Sequence, residues 1–182
     1  MGRCSFKLMF VVLLGMAANL QAHDSLYHYL EVSFPREGGP PQIAFSVHAA
    51  DLESARVLGA NPTGTDLSWL RNRTSTEVAP LLEEGRVYLS KAFSLVLGGK
   101  ELAVGESLKF PENGILATEG EAARPGFLIA TLSLPESTGS LELHYAPTAG
   151  KRLMVVVNRP GRFPEVHDLA PGETTDIDLS KP

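Results

Sequence analysis

The stretch Leu26-Tyr27-His28-Tyr29-Leu30-Glu31-Val32-Ser33-Phe34 alternates between two faces. Leu26, Leu30, Val32 and Phe34 share one face with His28, while Tyr27, Tyr29, Glu31 and Ser33 share the other. Side chains in an extended chain repeat every second residue, so this pattern predicts a strand with one buried face. A Pro/Gly-rich turn over Pro35–Pro41 ends the strand. Gln42–Ala49 then resumes the alternation, with Ile43, Phe45 and Val47 inward and Ser46 and His48 outward. Two such runs across a turn predict an antiparallel hairpin.

The period then changes. Asp51–Leu58 fits a short helix, broken by Gly59-Ala60-Asn61-Pro62, and Thr65 can cap a second one carrying Leu67, Trp69 and Leu70. Thr74 and Glu77 stand three residues apart, the spacing of a capping box. Val78, Leu81, Leu82, Val87, Tyr88 and Leu89 follow at mostly helical intervals, with Pro80 expected in the first turn and Gly85 a weak point. Strand patterns return at Phe93–Leu97 and Lys100–Val104 around Gly98-Gly99, a pair suited to a tight hairpin turn. More follow at Glu106–Phe110, Gly126–Leu134, Ser140–Tyr145, Arg152–Asn158, Phe163–Leu169 and Thr174–Leu179, punctuated by Pro/Gly turns. Short strands at this spacing predict a mainly β fold: a β-sandwich, Ig-like or a partly open barrel, with a helical insertion at about 50–91.

Before the first strand, Arg3 and Lys7 precede an apolar run from Leu8 to Leu20, and Leu20-Gln21-Ala22 ends in a small residue. A membrane-spanning helix needs about 20 apolar residues to cross roughly 30 Å of hydrocarbon, so this shorter run reads as a cleavable signal peptide over residues 1–22. The expectation is a periplasmic or secreted chain whose single β-rich domain covers 23–182. The only cysteine, Cys4, falls in the signal, so disulfides are not expected to staple the fold. The sequence carries 16 basic and 21 acidic residues, and losing Arg3 and Lys7 leaves 14 against 21, a net charge of −7. That balance argues against a nucleic-acid partner and against simple adhesion to anionic lipid. No later segment is apolar enough for stable membrane insertion after cleavage.

Cleavage after Ala22 would free the amine of His23. An amino-terminal histidine can chelate a metal through imidazole and amine together, and a second imidazole completes a nitrogen-rich site suited to copper or nickel. His23 and His28 are the candidate metal ligands, with His48, His144 and His167 as further imidazoles. The plain reading of His28 is a buried ring with both nitrogens hydrogen-bonded. His48 and His144 alternate with inward residues and are expected outside. His167 adjoins Asp168 and follows Glu165, a carboxylate–histidine arrangement expected as a surface ion pair. Glu83-Glu84 reads as a solvated helix face. No Gly-x-Ser-x-Gly elbow, Ser-x-x-Lys motif or phosphate-binding glycine loop is present, so the expectation is no enzyme. The expected role is a non-enzymatic binding or accessory module meeting an envelope protein through a sheet face or edge, with Tyr27 and Tyr29 on the outer face of the first strand. The alternative is a metal-binding protein or metallochaperone built on His23.

Several landmarks occur in order: His23 after the signal, Tyr29-Leu30-Glu31-Val32, Ala50-Asp51-Leu52-Glu53, Asp66-Leu67-Ser68-Trp69-Leu70, and Phe93-Ser94-Leu95-Val96-Leu97-Gly98-Gly99-Lys100. Together they resemble the exported amino-terminal region of hydrogenase/urease accessory membrane proteins of the HupE/UreJ type. The resemblance covers about the first half of the chain after its signal. Members of that family continue into several membrane helices and are associated with nickel or cobalt handling. Such helices are missing from this sequence, so the resemblance implies an extracytoplasmic recognition or metal-related role and not transport. Asn61-Pro62-Thr63-Gly64-Thr65 stands where some relatives have an acidic calcium loop. Without those carboxylates no calcium site is expected.

Overall fold

The computed structural model describes residues 27–57, 73–110, 127–135 and 139–180. Among these, nine strands form two sheets. The first sheet has the order β5 (Phe127–Ser133), β2 (Gln42–His48), β1 (Tyr27–Ser33), β7 (Arg152–Asn158), β8 (Glu165–Leu169). The second has the order β4 (Lys100–Leu102), β3 (Phe93–Leu97), β6 (Ser140–Tyr145), β9 (Thr174–Asp178). β1 and β2 form the expected antiparallel hairpin, with Leu30 opposite Phe45 and Val32 opposite Ile43. The other neighbour of β1 is β7, paired in parallel from Tyr27–Arg152 to Ser33–Asn158. The remaining strand pairs of the two sheets are antiparallel.

The sheets pack face to face as a β-sandwich, and neither closes into a barrel. Leu30, Ile43 and Phe45 from one inner face and Leu95, Leu141 and Leu143 from the other are fully buried. Each such side chain contributes about 1.5–3 kcal/mol relative to an exposed one. The rings of Phe45 and Phe93 bridge the sheets with centroids 5.1 Å apart, and Tyr145 stacks on Phe93 at 5.4 Å. Among the described residues no helix is long and apolar enough to cross a membrane.

The described residues between β2 and β3 are mostly helical, as the change of period predicts. A 3-10 turn at Ala49–Asp51 leads into α1 (Glu53–Val57), and α2 (Ser75–Ala92) runs directly into β3. The expected helix around Trp69 lies outside the described residues. The capping box forms: the Glu77 amide donates to Thr74 Oγ1 at 3.3 Å, and the Thr74 amide donates to the Glu77 carboxylate at 2.8 Å. Pro80 sits past the first turn of α2. It deprives the Thr76 carbonyl of its helical partner, but both residues are exposed, so water can serve that oxygen.

Four further local expectations are corrected. Ser46 and His48 are buried at 8% and 7% exposure, because β2 is an interior strand. Tyr29 and Ile129 flank Ser46, and the ring of Phe127, opposite His48, packs on it at 5.3 Å. Glu106–Phe110 is not a strand. Val104–Ser107 forms a short helix, α3, whose end is held by Arg86 donating to the carbonyls of Gly105 and Leu108 at 2.9 and 2.8 Å. Only Lys109 pairs like a strand residue, with Thr131. Glu84 is not a free solvated carboxylate either: it accepts the amides of Glu53 and Ser54, both at 2.7 Å, and so caps α1 from a neighbouring helix. Gly85, which looks like a weak point, is a close-packing position. A Cβ there would stand 3.0 Å from Leu128 Cδ1, so the missing side chain is what lets α2 approach β5.

The gain in helix propensity from Gly85→Ala, about 1 kcal/mol, is therefore expected to be cancelled by that contact. Gly85→Leu should lower unfolding stability in urea by about 1–3 kcal/mol through overpacking. A Gly85→Leu protein as stable as the wild type would show that α2 does not press on β5 at this point.

Candidate functional site

The parallel pairing of β1 with β7 decides what surrounds His28. Because the two strands start side by side, the turn before β7, ending in Ala149, Gly150 and Lys151, lies next to the beginning of β1. Tyr145, at the end of β6, points inward from the opposite sheet, and Tyr88 reaches the same place from α2. His28 is 4% exposed. Its Nδ1 lies 2.9 Å from the Tyr145 hydroxyl, and the Tyr88 hydroxyl lies 3.2 Å from Nδ1 and 3.3 Å from Nε2. The Tyr88 ring meets the imidazole edge-on at 5.4 Å.

The proton positions follow from counting. Tyr145 has one hydroxyl hydrogen, and the carbonyl of Lys151, 2.8 Å away, can only accept. Tyr145 therefore donates to Lys151 and must accept from His28, which places the imidazole proton on Nδ1. Nε2 is left as an acceptor facing Tyr88, whose hydroxyl can also reach the Ala149 carbonyl at 3.4 Å. Burial, reinforced by the nearby Lys151 ammonium and opposed by Asp51, pushes the His28 pKa from 6.5 down to about 4. His28 is accordingly neutral near pH 7. Burial also raises the Tyr88 phenol to about 12 and raises Tyr145 further.

Above this floor opens a cleft of about 470 Å³. Val47, Leu52, Val87 and Ala149 make its apolar walls, and Asp51, Glu84, Lys91 and Lys151 its polar rim. Asp51 pairs with Lys151 and sits 3.5 Å from His48 Nδ1. Burial pushes the Asp51 carboxyl up, but those two partners outweigh it and hold it below the usual carboxylate range. Glu84 is engaged with the α1 amides. Lys91 is exposed and has no partner among the described residues. Among the described residues no serine, threonine or cysteine lines the cleft.

The other histidines lie elsewhere. His144 is half-exposed on β6, 3.1 Å from Glu142 and 3.2 Å from Thr174 Oγ1. His167 Nε2 lies 2.9 Å from Glu165 without forming a hydrogen bond, and its Nδ1 3.1 Å from Thr175 Oγ1, while Asp168 pairs instead with Arg152. His23 lies outside the described residues. A metal bound through His28 would have to displace a tyrosine from one of its ring nitrogens. Among the described residues no three His, Cys, Asp or Glu side chains converge on one point. Comparison of the chain with family models, with curated proteins and with solved structures finds no match.

Because the folded protein keeps His28 neutral while the unfolded chain protonates it near 6.5, stability is expected to be lost as pH falls from about 6.5 toward 4. The shift corresponds to ~3 kcal/mol at most. Urea unfolding of wild type and His28→Gln across that range should give a steeper decline for the wild type. Parallel curves, or an NMR titration placing the imidazole near 6.5, would refute the assignment.

Proposed function

We propose that the chain is an exported, non-enzymatic binding module of the bacterial cell envelope, taking a small organic anion with an apolar body into the cleft beside His28. One observation carries this reading: apolar walls lead from a hydrogen-bonded floor to the ammonium of Lys91, which has no partner among the described residues. Such a cavity has the composition of a ligand site, mostly apolar with a few polar groups that fix orientation. The chemistry of the floor supports binding over turnover. Both nitrogens of His28 face tyrosine hydroxyls, its pKa is far below that of an effective general base near pH 7, and among the described residues no Ser, Thr or Cys lines the site. Export rests on the signal-like residues 1–22. An envelope protein carrying such an anionic group as a side chain would satisfy the same cleft.

The test is a thermal-shift screen of protein recovered from the periplasm, its start at His23 checked by intact mass, against octanoate and phenylacetate. Either carboxylate should raise the melting temperature of the wild type, and Lys91→Ala should abolish the rise. Two results would sink the reading: no shift with either compound, or an equal shift in Lys91→Ala.

A copper- or nickel-binding role through His23 is the second reading. It is favoured by the neutral state of His28 near pH 7, the form in which imidazole binds metal. Copper(II) titration of the cleaved protein should then show tight binding that disappears when one residue is added before His23. Unchanged binding after that addition would remove the proposal.

A further inference from the structure

The same parallel pairing that builds the His28 cleft brings two turns together at the other end of the sandwich. Ser33 of β1 lies beside Asn158 of β7, and the Phe34 amide continues the ladder to the Asn158 carbonyl at 3.1 Å. The turn after β1 carries Arg36, and the turn after β7 carries Arg159 and Arg162. These three arginines, from distant parts of the sequence, line one depression of about 250 Å³ together with Phe34 and Asn158.

The three do not have the same job. Arg159 is structural: its guanidinium donates to Glu165 at 2.8 Å and to the Asp178 carbonyl at 2.8 Å, and it stacks over Phe34 at 5.1 Å. Only 8% of its side chain is exposed. Arg36 and Arg162 are exposed, and neither has a side-chain partner among the described residues. The turn fixes where Arg162 projects. Its amide donates to the Arg159 carbonyl at 3.2 Å, and Pro160-Gly161 supplies the corner, with Gly161 at φ 71°, the left-handed value a type II turn needs at its third residue. Like charges brought together repel. Yet in this acidic chain, net −5, no carboxylate among the described residues pairs with the Arg36 or Arg162 guanidinium.

We propose that this arginine depression is a binding site for a phosphoryl group. Guanidinium is a planar fork that matches phosphate oxygens two at a time, and forks from two turns can share the several oxygens of one phosphoryl group. A carboxylate holds its two oxygens in one plane, so two forks reaching it from different turns must divide its lone pairs, whereas phosphoryl oxygens are spread tetrahedrally. Arg159 forms the fixed back of the site, with Arg36 and Arg162 closing on the anion from either side. Phe163, next in sequence to Arg162, is 96% exposed, so an apolar group stands beside the charged one. The phosphoryl group can belong to free phosphate or to a lipid headgroup.

The experiment measures both sources on the protein cleaved at its signal. Isothermal titration with inorganic phosphate reports the free anion. Sedimentation with phosphatidylglycerol/phosphatidylcholine vesicles, and with phosphatidylcholine vesicles alone, reports the headgroup. Arg36→Ala and Arg162→Ala should each weaken binding by about tenfold, as expected for loss of a charged hydrogen bond, with the pair of changes weakening it further. The melting temperature should stay unchanged, because neither side chain has a partner to lose. Lysine at both positions should restore only part of the affinity, since it keeps the charge without the fork. Vesicle binding lost in Phe163→Ser, with phosphate binding intact, would identify a lipid headgroup, and phosphate binding without vesicle binding a free anion. The proposal falls if neither phosphate nor anionic vesicles bind, if the double alanine protein binds as well as wild type, or if the double lysine protein does. The last result would mean diffuse attraction with no built site.

Discussion

The parallel pairing of β1 with β7 is the constraint from which the layout of this protein follows. Parallel neighbours cannot be joined by a tight turn, so most of the chain lies between them. Their register sets both ends of the sandwich. At the start, the Lys151 carbonyl comes within reach of the Tyr145 hydroxyl that holds His28. At the finish, the two arginine-bearing turns share a rim. A slip of one residue in β1 would send His28, Leu30 and Val32 to the outer face and replace them with Tyr29, Glu31 and Ser33. Burying Glu31 in an apolar core would cost more than any gain from a new pairing, so the register has no nearby competitor.

The His28–Tyr145 contact then locks one sheet against the other. Most of what joins the two inner faces is apolar and tolerant of small shifts, but this bond fixes a distance and a direction. Three hydrogens serve it: His28 Nδ1–H to the Tyr145 oxygen, Tyr145 to the Lys151 carbonyl, and Tyr88 to either His28 Nε2 or the Ala149 carbonyl. Breaking the His28–Tyr145 link would leave a ring N–H without an acceptor in low dielectric, so that link favours one arrangement of the sheets. Phe93 stacks on the Tyr145 ring and is itself packed by Phe45, which restrains the phenol.

Much of the fold was legible because its signals are local. Alternation marked β1, β2, β6 and β7 to within a residue or two, and Thr74 with Glu77 marked the start of α2. The departures share one cause, side chains whose role is set by a partner far away in sequence. Glu84 looks solvated until α1 presents its amides, and Gly85 looks weak until Leu128 arrives. Glu106–Phe110 alternates well enough for a strand, yet its first two residues close α3, whose end Arg86 holds through the Gly105 and Leu108 carbonyls. His48 was misplaced because alternation identifies the face but not how densely an interior strand is flanked. Of the site, only His28 stood out. A clue to its partner was present: Tyr145 falls on the inward side of Leu141 and Leu143, and a buried phenol needs a polar neighbour. Two inward polar residues in an otherwise apolar pattern are candidates for each other. Tyr88 and Lys151 had no comparable signal, since their approach depends on the β1–β7 register.

The charge balance also reads differently once partners are known. The total is acidic, and a total governs long-range steering. At contact, what matters is which charges remain unengaged within a screening length of about 8–10 Å. The acidic side chains around both depressions are largely committed: Asp51 to Lys151, Glu84 to α1, Glu31 to Ser33 and Asn158, Glu165 to Arg159. Lys91, Arg36 and Arg162 have no such partner among the described residues. A polyanion such as nucleic acid, which must lie across many ångströms of surface, meets the net negative field and is disfavoured. A compact anion seated against two or three cations does not sample that field in the same way. Excluding extended polyanions by net charge and inferring small-anion sites from unengaged cations are therefore compatible, because the two arguments act over different distances.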